Sequence, residues 1–189
     1  MDRSFFSNIT IRRASPQDAE AIVSIRREAW LSIYPNPSLG ITQTDLYRHL
    51  DGETGELKHL TLLHWQRQIG KEDGKHSITY VAQHDGAVIG FVAPRFIREQ
   101  RRIATLYVTT SARCHGVGTK LLKRAIEWFG RDQDIYLQVV AYNEVAISFY
   151  KRFGFELTTG KPFIDPVVQQ QSELQLPEVE MVLKAISIV

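Results

Sequence analysis

Two stretches of the sequence place glycines, an asparagine and a tyrosine at spacings suited to chemistry on a phosphorylated ligand. The first reads RCHGVGT over residues 113–119, between a short apolar run at 103–108 and an amphipathic run at 117–129. Glycines let backbone amides approach a ligand closely, and the first amides of a helix are unpaired at the positive end of its dipole. The stretch predicts a pyrophosphate-binding turn, although a glycine pair alone also suits an ordinary tight turn.

Two common phosphate-binding motifs do not fit this first stretch. The dinucleotide fingerprint needs a third glycine where this chain has Leu121. The P-loop needs Gly-Lys followed by Ser or Thr, whereas here Thr119 precedes Lys120. The ligand predicted for the turn is therefore not a nucleotide bound in either of these two ways.

The second stretch runs from Asn143 to Phe155. Residues 134–141 are typical of a strand, Asn143 is a favourable N-cap, and residues 144–152 have helical spacing that ends at Gly154. On such a helix Asn143, Ala146, Ile147 and Tyr150 share one face. A polar cap and a phenol are thus predicted one strand and one helix after the glycine turn.

At these residues the sequence resembles the GNAT superfamily, the GCN5-related N-acetyltransferases. The acetyl-CoA loop of that family, Arg/Gln-x-x-Gly-x-Gly/Ala, corresponds to Arg113, Gly116 and Gly118. Its later motif, Asn-x-x-Ala-x-x-Phe-Tyr-x-x-x-Gly-Phe, corresponds here to Asn143, Ala146, Phe149, Tyr150, Gly154 and Phe155. The resemblance covers roughly residues 9–184 and is sharpest over 103–155.

The resemblance implies acetyl-CoA as the cofactor and assigns roles to the matching positions. The backbone of Leu106, Tyr107 and Val108 would bind the pantetheine and polarise the acetyl oxygen, because the central strand of relatives splays from its neighbour. The full set of implied cofactor contacts is Leu106, Tyr107, Val108, Arg113, Cys114, His115, Gly116, Val117, Gly118, Thr119, Asn143, Ala146, Phe149 and Tyr150.

Tyr150 is the predicted general acid, because a phenol with a pKa near ~10 holds its proton at neutral pH and suits a thiolate leaving group. The general base stays open. Some relatives carry a glutamate early in the central strand, where this chain has Arg102, so Glu28, Glu99 or a chain of water molecules are the alternatives. Cys114 stands where many relatives have glycine, which predicts a slightly stiffer loop.

The family pattern places the acyl acceptor between the first helical region and the loop before the last strand. Trp30 and Tyr34 are the predicted lining residues, with Tyr47 a weaker candidate. Exposed aromatic rings could hold an amine by cation-π contact, whereas buried rings would belong to the core. An acidic turn that includes Asp51, Glu53 and Glu56 keeps polyamines among the possible acceptors.

The remaining pattern predicts an α/β fold with one mixed, largely antiparallel sheet of about seven strands flanked by helices, as in GNAT proteins. Its order is strand, helices, three strands, helix, strand, helix and two strands. The predicted strands are 8–14, 77–84, 87–96, 103–108, 134–141, 155–158 and 177–184. The predicted helices begin near Ser15 and Pro16 and continue at 42–50, 56–69, 117–129 and 144–152.

Composition predicts a single domain over residues 1–189 and no strongly charged partner. The formal net charge is +2 and no block of like charge indicates nucleic-acid binding. No apolar run indicates a secretion signal or a membrane span, so a cytoplasmic location is expected. Cys114 is the only cysteine, which excludes an internal disulfide, and the six histidines lack metal-ligand spacing. Resemblance alone suggests a homodimer.

The sequence therefore predicts an acetyl-CoA-dependent N-acetyltransferase that acts directly on a primary amine of a small metabolite, peptide or protein. Direct transfer is expected because no plausible nucleophile lies beside the loop. A non-catalytic acyl-CoA-binding sensor on the same fold is the alternative, and a nucleotide-binding α/β module is a more distant one.

Overall fold

The computed structural model describes residues 8–52, 55–164 and 174–186. The strands are β1 (Thr10–Arg13), β2 (Tyr80–His84), β3 (Ala87–Ile97), β4 (Gln100–Val108), β5 (Ile135–Val140), β6 (Glu156–Leu157), β7 (Phe163–Ile164) and β8 (Pro177–Leu183). The helices are α1 (Ala19–Ile33), α2 (Gln43–Asp51), α3 (Glu56–Lys71), α4 (Val117–Phe129) and α5 (Glu144–Lys151), with short 3-10 turns at Pro16–Asp18, Pro37–Leu39 and Thr110–Ala112.

These strands form one eight-stranded sheet in the order β1-β2-β3-β4-β5-β8-β6, with β7 also paired to β8. Every pairing is antiparallel except that of β4 with β5, which is parallel. The predicted mixed, largely antiparallel sheet is confirmed. The eighth strand is β7, a two-residue strand that is not among the predicted strands.

Helices cover both faces of the sheet. On one face α1 and α3 bury Ile22, Trp65 and their neighbours against Phe91 of β3. On the other face α4 buries Leu121, Leu122 and Ala125, as its amphipathic spacing predicted. A third apolar cluster joins the end of α1 to α2, to the end of β5 and to Leu174 and Leu176.

The central strand β4 begins three residues earlier than predicted. Residues 97–102 lay between the two predicted strands, but β3 and β4 pair as far as Ile97 and Gln100. The turn between them consists of Arg98 and Glu99, whose φ angles of 49° and 65° suit a tight hairpin. The side chains of this part of β4 are polar, so the sequence shows no strand pattern there. Pairing with β3 makes these residues part of the strand.

Helices α4 and α5 match their predicted bounds closely because their ends are specified locally. Gly116, with φ 80°, precedes α4, and Gly130, with φ 75°, follows it. Asn143 caps α5, since its side-chain oxygen accepts a hydrogen bond from the Ala146 N–H at 3.2 Å. The two helices therefore precede and follow β5 in the chain with ends that the local sequence specifies.

Among the described residues, no helix combines the length and apolar character needed to cross a bilayer. Over the same residues, no group of three or more His, Cys, Asp or Glu side chains could hold a metal ion.

Candidate functional site

A cleft opens in the middle of the sheet where β4 and β5 separate. Their parallel pairing covers only three residue pairs, which run from Arg101 with Ile135 to Ile103 with Leu137. An irregularity in the β3-β4 pairing skips Ala104 at this same point, and such a bulge bends the strand that carries it. Beyond it, β4 continues to Val108, and among the described strands it pairs there with β3 alone.

The open edge of β4 includes Leu106, Tyr107 and Val108, which pair with Val92, Phe91 and Gly90 of β3. In an antiparallel strand, alternate residues direct their N–H and C=O groups to opposite edges. Part of this backbone therefore points into the cleft, where an extended amide-bearing ligand could pair with it.

The glycine turn lies at the end of this cleft and presents unpaired amides. The first hydrogen bond of α4 runs from the Lys120 N–H to the Gly116 oxygen at 3.0 Å. The N–H groups of Val117, Gly118 and Thr119 find no acceptor within the described parts of the chain. Together with the dipole of the thirteen-residue α4, they form a site suited to a phosphate group.

Gly118 lies where this turn meets α5. A Cβ atom built on it would lie 3.5 Å from Phe149 and 3.9 Å from Val108, which are ordinary contact distances. The protein itself therefore has room for a methyl group here. The absent side chain leaves space at the point where the predicted ligand would pass from the cleft to the amides.

Cys114 adopts a left-handed backbone conformation with φ 63°, which side-chain-bearing residues rarely use. Its thiol is exposed. The stiffer loop expected at this position corresponds to a conformation that glycine would reach with less strain.

The side chains around the turn are engaged with the protein. Arg113 donates from Nε to the Val108 oxygen at 3.4 Å and from its terminal nitrogen to Ser32 Oγ at 3.2 Å. A ring nitrogen of His115 lies 2.7 Å from the Arg113 oxygen. The turn therefore offers its backbone, rather than the Arg113 guanidinium, to a ligand.

Tyr150 is buried on α5 beside the cleft, with 7% of its surface exposed. Its ring packs against Phe149 and Phe155, with centroids 5.3 and 5.8 Å apart. Burial raises the pKa of Tyr150 well above its ordinary value of 10, and Tyr107 adds to the shift. The phenol therefore keeps its proton at any physiological pH.

Tyr107 carries a hydrogen-bonded cluster on the opposite face of the sheet. Its hydroxyl accepts from Trp30 Nε1 at 2.8 Å and lies 3.0 Å from the hydroxyl of Tyr34. Burial raises the pKa of both phenols, so both remain neutral. Tyr142, just after β5, donates to the Tyr34 backbone oxygen at 2.7 Å, so the cluster joins the diverging ends of β4 and β5 through α1.

Trp30 and Tyr34 are mostly buried in this cluster, with 9% and 7% of their surfaces exposed. The Trp30 ring is stacked on His49 at 5.1 Å, and the Arg26 guanidinium lies 4.6 Å from its centroid. Arg27 lies similarly over Tyr47, at 4.9 Å. Guanidinium groups of the chain thus already lie over Trp30 and Tyr47, where an acceptor amine was expected to make a cation-π contact, and the lining role of Trp30 and Tyr34 stays a prediction.

The two candidate bases, Glu28 and Glu99, and the position of the glutamate found in some relatives lie in three different places. Arg102 forms an ion pair with Glu180 of β8, so the position that carries a glutamate in some relatives is structural here. Glu99 lies in the β3-β4 turn, at the far end of β4 from Val108. Glu28 accepts a hydrogen bond from the Thr110 N–H at 2.7 Å. Of the acidic turn, Asp51 is paired with Arg27 and Glu53 lies outside the described residues.

Three side chains in this region were assigned no role from the sequence. Tyr107 was predicted through its backbone only, yet its side chain organises the phenol cluster. Tyr142 reaches Tyr34 across 108 residues of sequence. Glu178 lies opposite Val140 in the β5-β8 register, so it shares the face of the sheet on which Val140 packs against the phenol cluster.

A groove of about 810 Å³ lies between α1, α2 and α3. The side of α1 that lines it carries Glu20, Glu28 and Ser32, and α3 contributes Lys58 and His59. Glu28 and Ser32 also contact the residues that follow β4, so the groove and the glycine turn share a wall of α1.

Comparison with known proteins places this geometry among the acetyltransferases. A sequence profile of the acetyltransferase (GNAT) family matches residues 41–155. N-alpha-acetyltransferase 50 of Danio rerio is 34% identical over 88 residues, which cover 43% of this chain and 52% of that protein. The chain spans about half the length of the N-alpha-acetyltransferases it matches.

A longer match extends over most of both chains. The L-amino acid N-acetyltransferase AaaT of Escherichia coli K12 is 29% identical over 166 residues, which cover 83% of this chain and 89% of the relative. The solved structure of yncA from Salmonella typhimurium, described with its cofactor acetyl-CoA, aligns with a TM-score of 0.62 at 21% identity. That alignment covers 93% of each chain and shows that the fold is shared.

Proposed function

This chain belongs to the acetyltransferase (GNAT) family, and from that premise we propose that it is an acetyl-CoA-dependent N-acetyltransferase. The observation that carries the proposal is the joint placement of the open β4 edge, the unpaired amides of Val117, Gly118 and Thr119, and the buried phenol of Tyr150. The cleft is open to an extended amide-bearing arm, and the turn is suited to a pyrophosphate.

Bound acetyl-CoA would supply a thioester whose carbonyl carbon is attacked by a neutral amine, with loss of the thiolate. The β4 backbone at 106–108 would orient the pantetheine and stabilise the oxygen on which negative charge develops. The amides at 117–119 would hold the pyrophosphate. Asn143, Ala146 and Phe149 would position α5 against the bound arm, because Asn143 fixes the start of that helix.

Tyr150 would stabilise the leaving sulfur. Its raised pKa keeps the proton on the phenol, so Tyr150 donates a hydrogen bond to the developing thiolate and completes proton transfer only as the carbon-sulfur bond breaks. The attacking nitrogen must lose a proton of its own, through a base or water that the proposal leaves open. Transfer is direct, without an acyl-enzyme.

The acceptor we propose is the α-amino group of an amino acid or a peptide. The relatives named above are an N-alpha-acetyltransferase and an L-amino acid N-acetyltransferase. Both names indicate an amine on the carbon atom adjacent to a carbonyl group. This class of acceptor is narrower than the primary amines predicted from the sequence. Polyamines and lysine side chains serve as comparison acceptors.

The alternative is a sensor that binds acyl-CoA without turnover on the same fold. Tyr150 favours the enzyme, because a sensor has no need for a buried phenol positioned to donate a proton at the cleft. The two proposals share the binding site and differ only in whether the bound thioester is consumed.

The test is the release of free CoA thiol from acetyl-CoA in the presence of L-amino acids, short peptides with free N-termini, spermidine and N-terminally blocked lysine peptides. We expect turnover with an α-amine and acetylated product in the same amount as released thiol. Tight CoA binding without turnover of any acceptor would favour the sensor, and absence of CoA binding would contradict both.

A further inference from the structure

The loop between β4 and α4 is attached to helix α1 by two side chains one turn apart. Glu28 accepts a hydrogen bond from the Thr110 N–H at 2.7 Å, at the start of the 3-10 turn that follows β4. Four residues later, Ser32 Oγ accepts from Arg113 at 3.2 Å. Residues four apart lie on the same side of a helix, so both attachments come from one face of α1.

The chain between these attachments leads directly into the unpaired amides. Arg113 also donates to the Val108 oxygen at 3.4 Å, which links the last residue of β4 to the turn. Only Cys114, His115 and Gly116 separate Arg113 from the first amide of α4. Cys114 is held in a left-handed conformation with φ 63°, and so short a connection passes a shift of its anchor to the amides.

We infer that Glu28 is a positioning residue that fixes the loop after β4, and through it the amides at 117–119, for acetyl-CoA binding. The inference rests on the proposed function and assigns Glu28 a role that differs from proton abstraction. The attachment needs an acceptor oxygen on the side chain and does not need a negative charge.

The geometry favours this role over that of general base. The carboxylate oxygen Oε1 is already engaged by the Thr110 amide, beyond the end of β4 and on the side of the glycine turn. The predicted acetyl position lies against the β4 backbone at 106–108, before that end. Glu28 is also exposed on the groove side of α1, where a catalytic base would be hydrated rather than sequestered.

Two substitutions at one position separate the two roles. Glu28→Gln keeps an acceptor oxygen but cannot take a proton from an ammonium group, whereas Glu28→Ala removes both. Glu20→Ala is the matched control, because Glu20 is an exposed carboxylate on the same groove-lining side of α1, two turns away from the loop contacts.

The experiment measures CoA affinity by calorimetry, and kcat and the KM for acetyl-CoA in parallel. We expect Glu28→Ala to weaken CoA binding and raise this KM by about tenfold, the scale of one hydrogen bond. Glu28→Gln should recover CoA affinity to within about threefold of wild type, and Glu20→Ala should match wild type. Circular dichroism checks that α1 remains intact.

Three other outcomes would contradict either the role inferred for Glu28 or the proposed function. Unchanged CoA affinity in Glu28→Ala would overturn the inference while leaving the proposed function in place. A Glu28→Gln variant with wild-type CoA affinity but a hundredfold lower kcat would assign Glu28 as the base instead. Failure of the wild-type protein to bind CoA would contradict the proposed function itself, before either variant is compared.

Discussion

At the scale of single residues, Gly118 shows the difference between a residue needed for folding and one needed for a ligand. A Cβ atom on Gly118 would meet Phe149 at 3.5 Å, whereas one on Gly90 would lie 2.9 Å from the backbone oxygen of Tyr107. The first contact is ordinary. The second would force two paired strands apart.

We therefore expect opposite effects from the same substitution at these two glycines. Gly118→Ala should leave stability unchanged or raise it by about 0.5 kcal/mol, because alanine is favoured over glycine in a helix, and should weaken CoA binding about tenfold or more. Gly90→Ala should lower the free energy of unfolding by about 1–3 kcal/mol. Denaturant unfolding and calorimetric CoA titration of both variants measure the two effects. Loss of stability in Gly118→Ala would contradict the account.

Tyr150 is the residue whose chemistry is most directly testable. Tyr150→Phe keeps the ring contacts with Phe149 and Phe155 and removes the hydroxyl, so kcat should fall about 10²- to 10³-fold while the KM for acetyl-CoA changes only a few-fold.

The pH profile of kcat provides a check on the same residue. Burial raises the pKa of Tyr150, so deprotonation of this phenol should cause no loss of kcat between pH 7 and about 9.5. A basic limb in this range that disappears in Tyr150→Phe would show that the phenol ionises there.

At the scale of elements, local signals predicted the helices around the site and missed the start of the central strand. Gly116, Gly130 and Asn143 specify the ends of α4 and α5 within a few residues of sequence. The start of β4 was missed because only its pairing with β3 makes Gln100 part of a strand. Pairing between these two consecutive strands leaves no periodic hydrophobic pattern in so polar a stretch.

The burial of Trp30 and Tyr34 was unpredictable for a similar reason. Both residues are separated from Tyr107 by more than 70 positions, yet they share its hydroxyl. The sequence showed that aromatic residues end α1. It could not show whether their rings line an open groove or are buried against a hydrogen-bond partner. The hydrogen-bond partner is the side chain of Tyr107 in β4, a residue for which the sequence predicted only a backbone role.

The junction of β1 with the start of α1 predicts a pH-dependent contribution to stability. Asp18 is paired with Arg12 at 2.8 Å, and chiefly this hydrogen bond lowers the pKa of Asp18 from 3.8 to about 2. Because the folded-state pKa is depressed, the stabilisation is present above about pH 4 and is lost as pH falls towards 2.

We expect Asp18→Asn to lower the free energy of unfolding by about 1–2 kcal/mol at pH 7, a value reduced for the partial exposure of Arg12, and by much less near pH 2.5. Chemical unfolding at the two pH values measures the difference. Glu20→Gln, which neutralises an exposed neighbour, should stay within about 0.5 kcal/mol of wild type at pH 7. An equal loss at both pH values in Asp18→Asn would mean that charge is not its cause.

At the scale of the whole molecule, the sheet joins the two halves of the site. Strands β1 to β4 and the helices α1 to α3 come from the first part of the chain and supply the open β4 edge and the attachments to α1. Strand β5 and helix α5 supply the other wall and Tyr150. Because every described strand belongs to one sheet, we propose that the chain forms one domain and that the cleft depends on its integrity.

The central claim is that the cleft between β4 and β5 and the amides of α4 form a single acetyl-CoA site. The most direct test is a titration with acetyl-CoA followed by backbone amide NMR of the 189-residue chain. We predict saturable shifts at one stoichiometric site, largest at Val117, Gly118 and Thr119 and continuing along 106–108 and α5. Saturable shifts confined to another surface, or no shifts at millimolar acetyl-CoA, would contradict the claim.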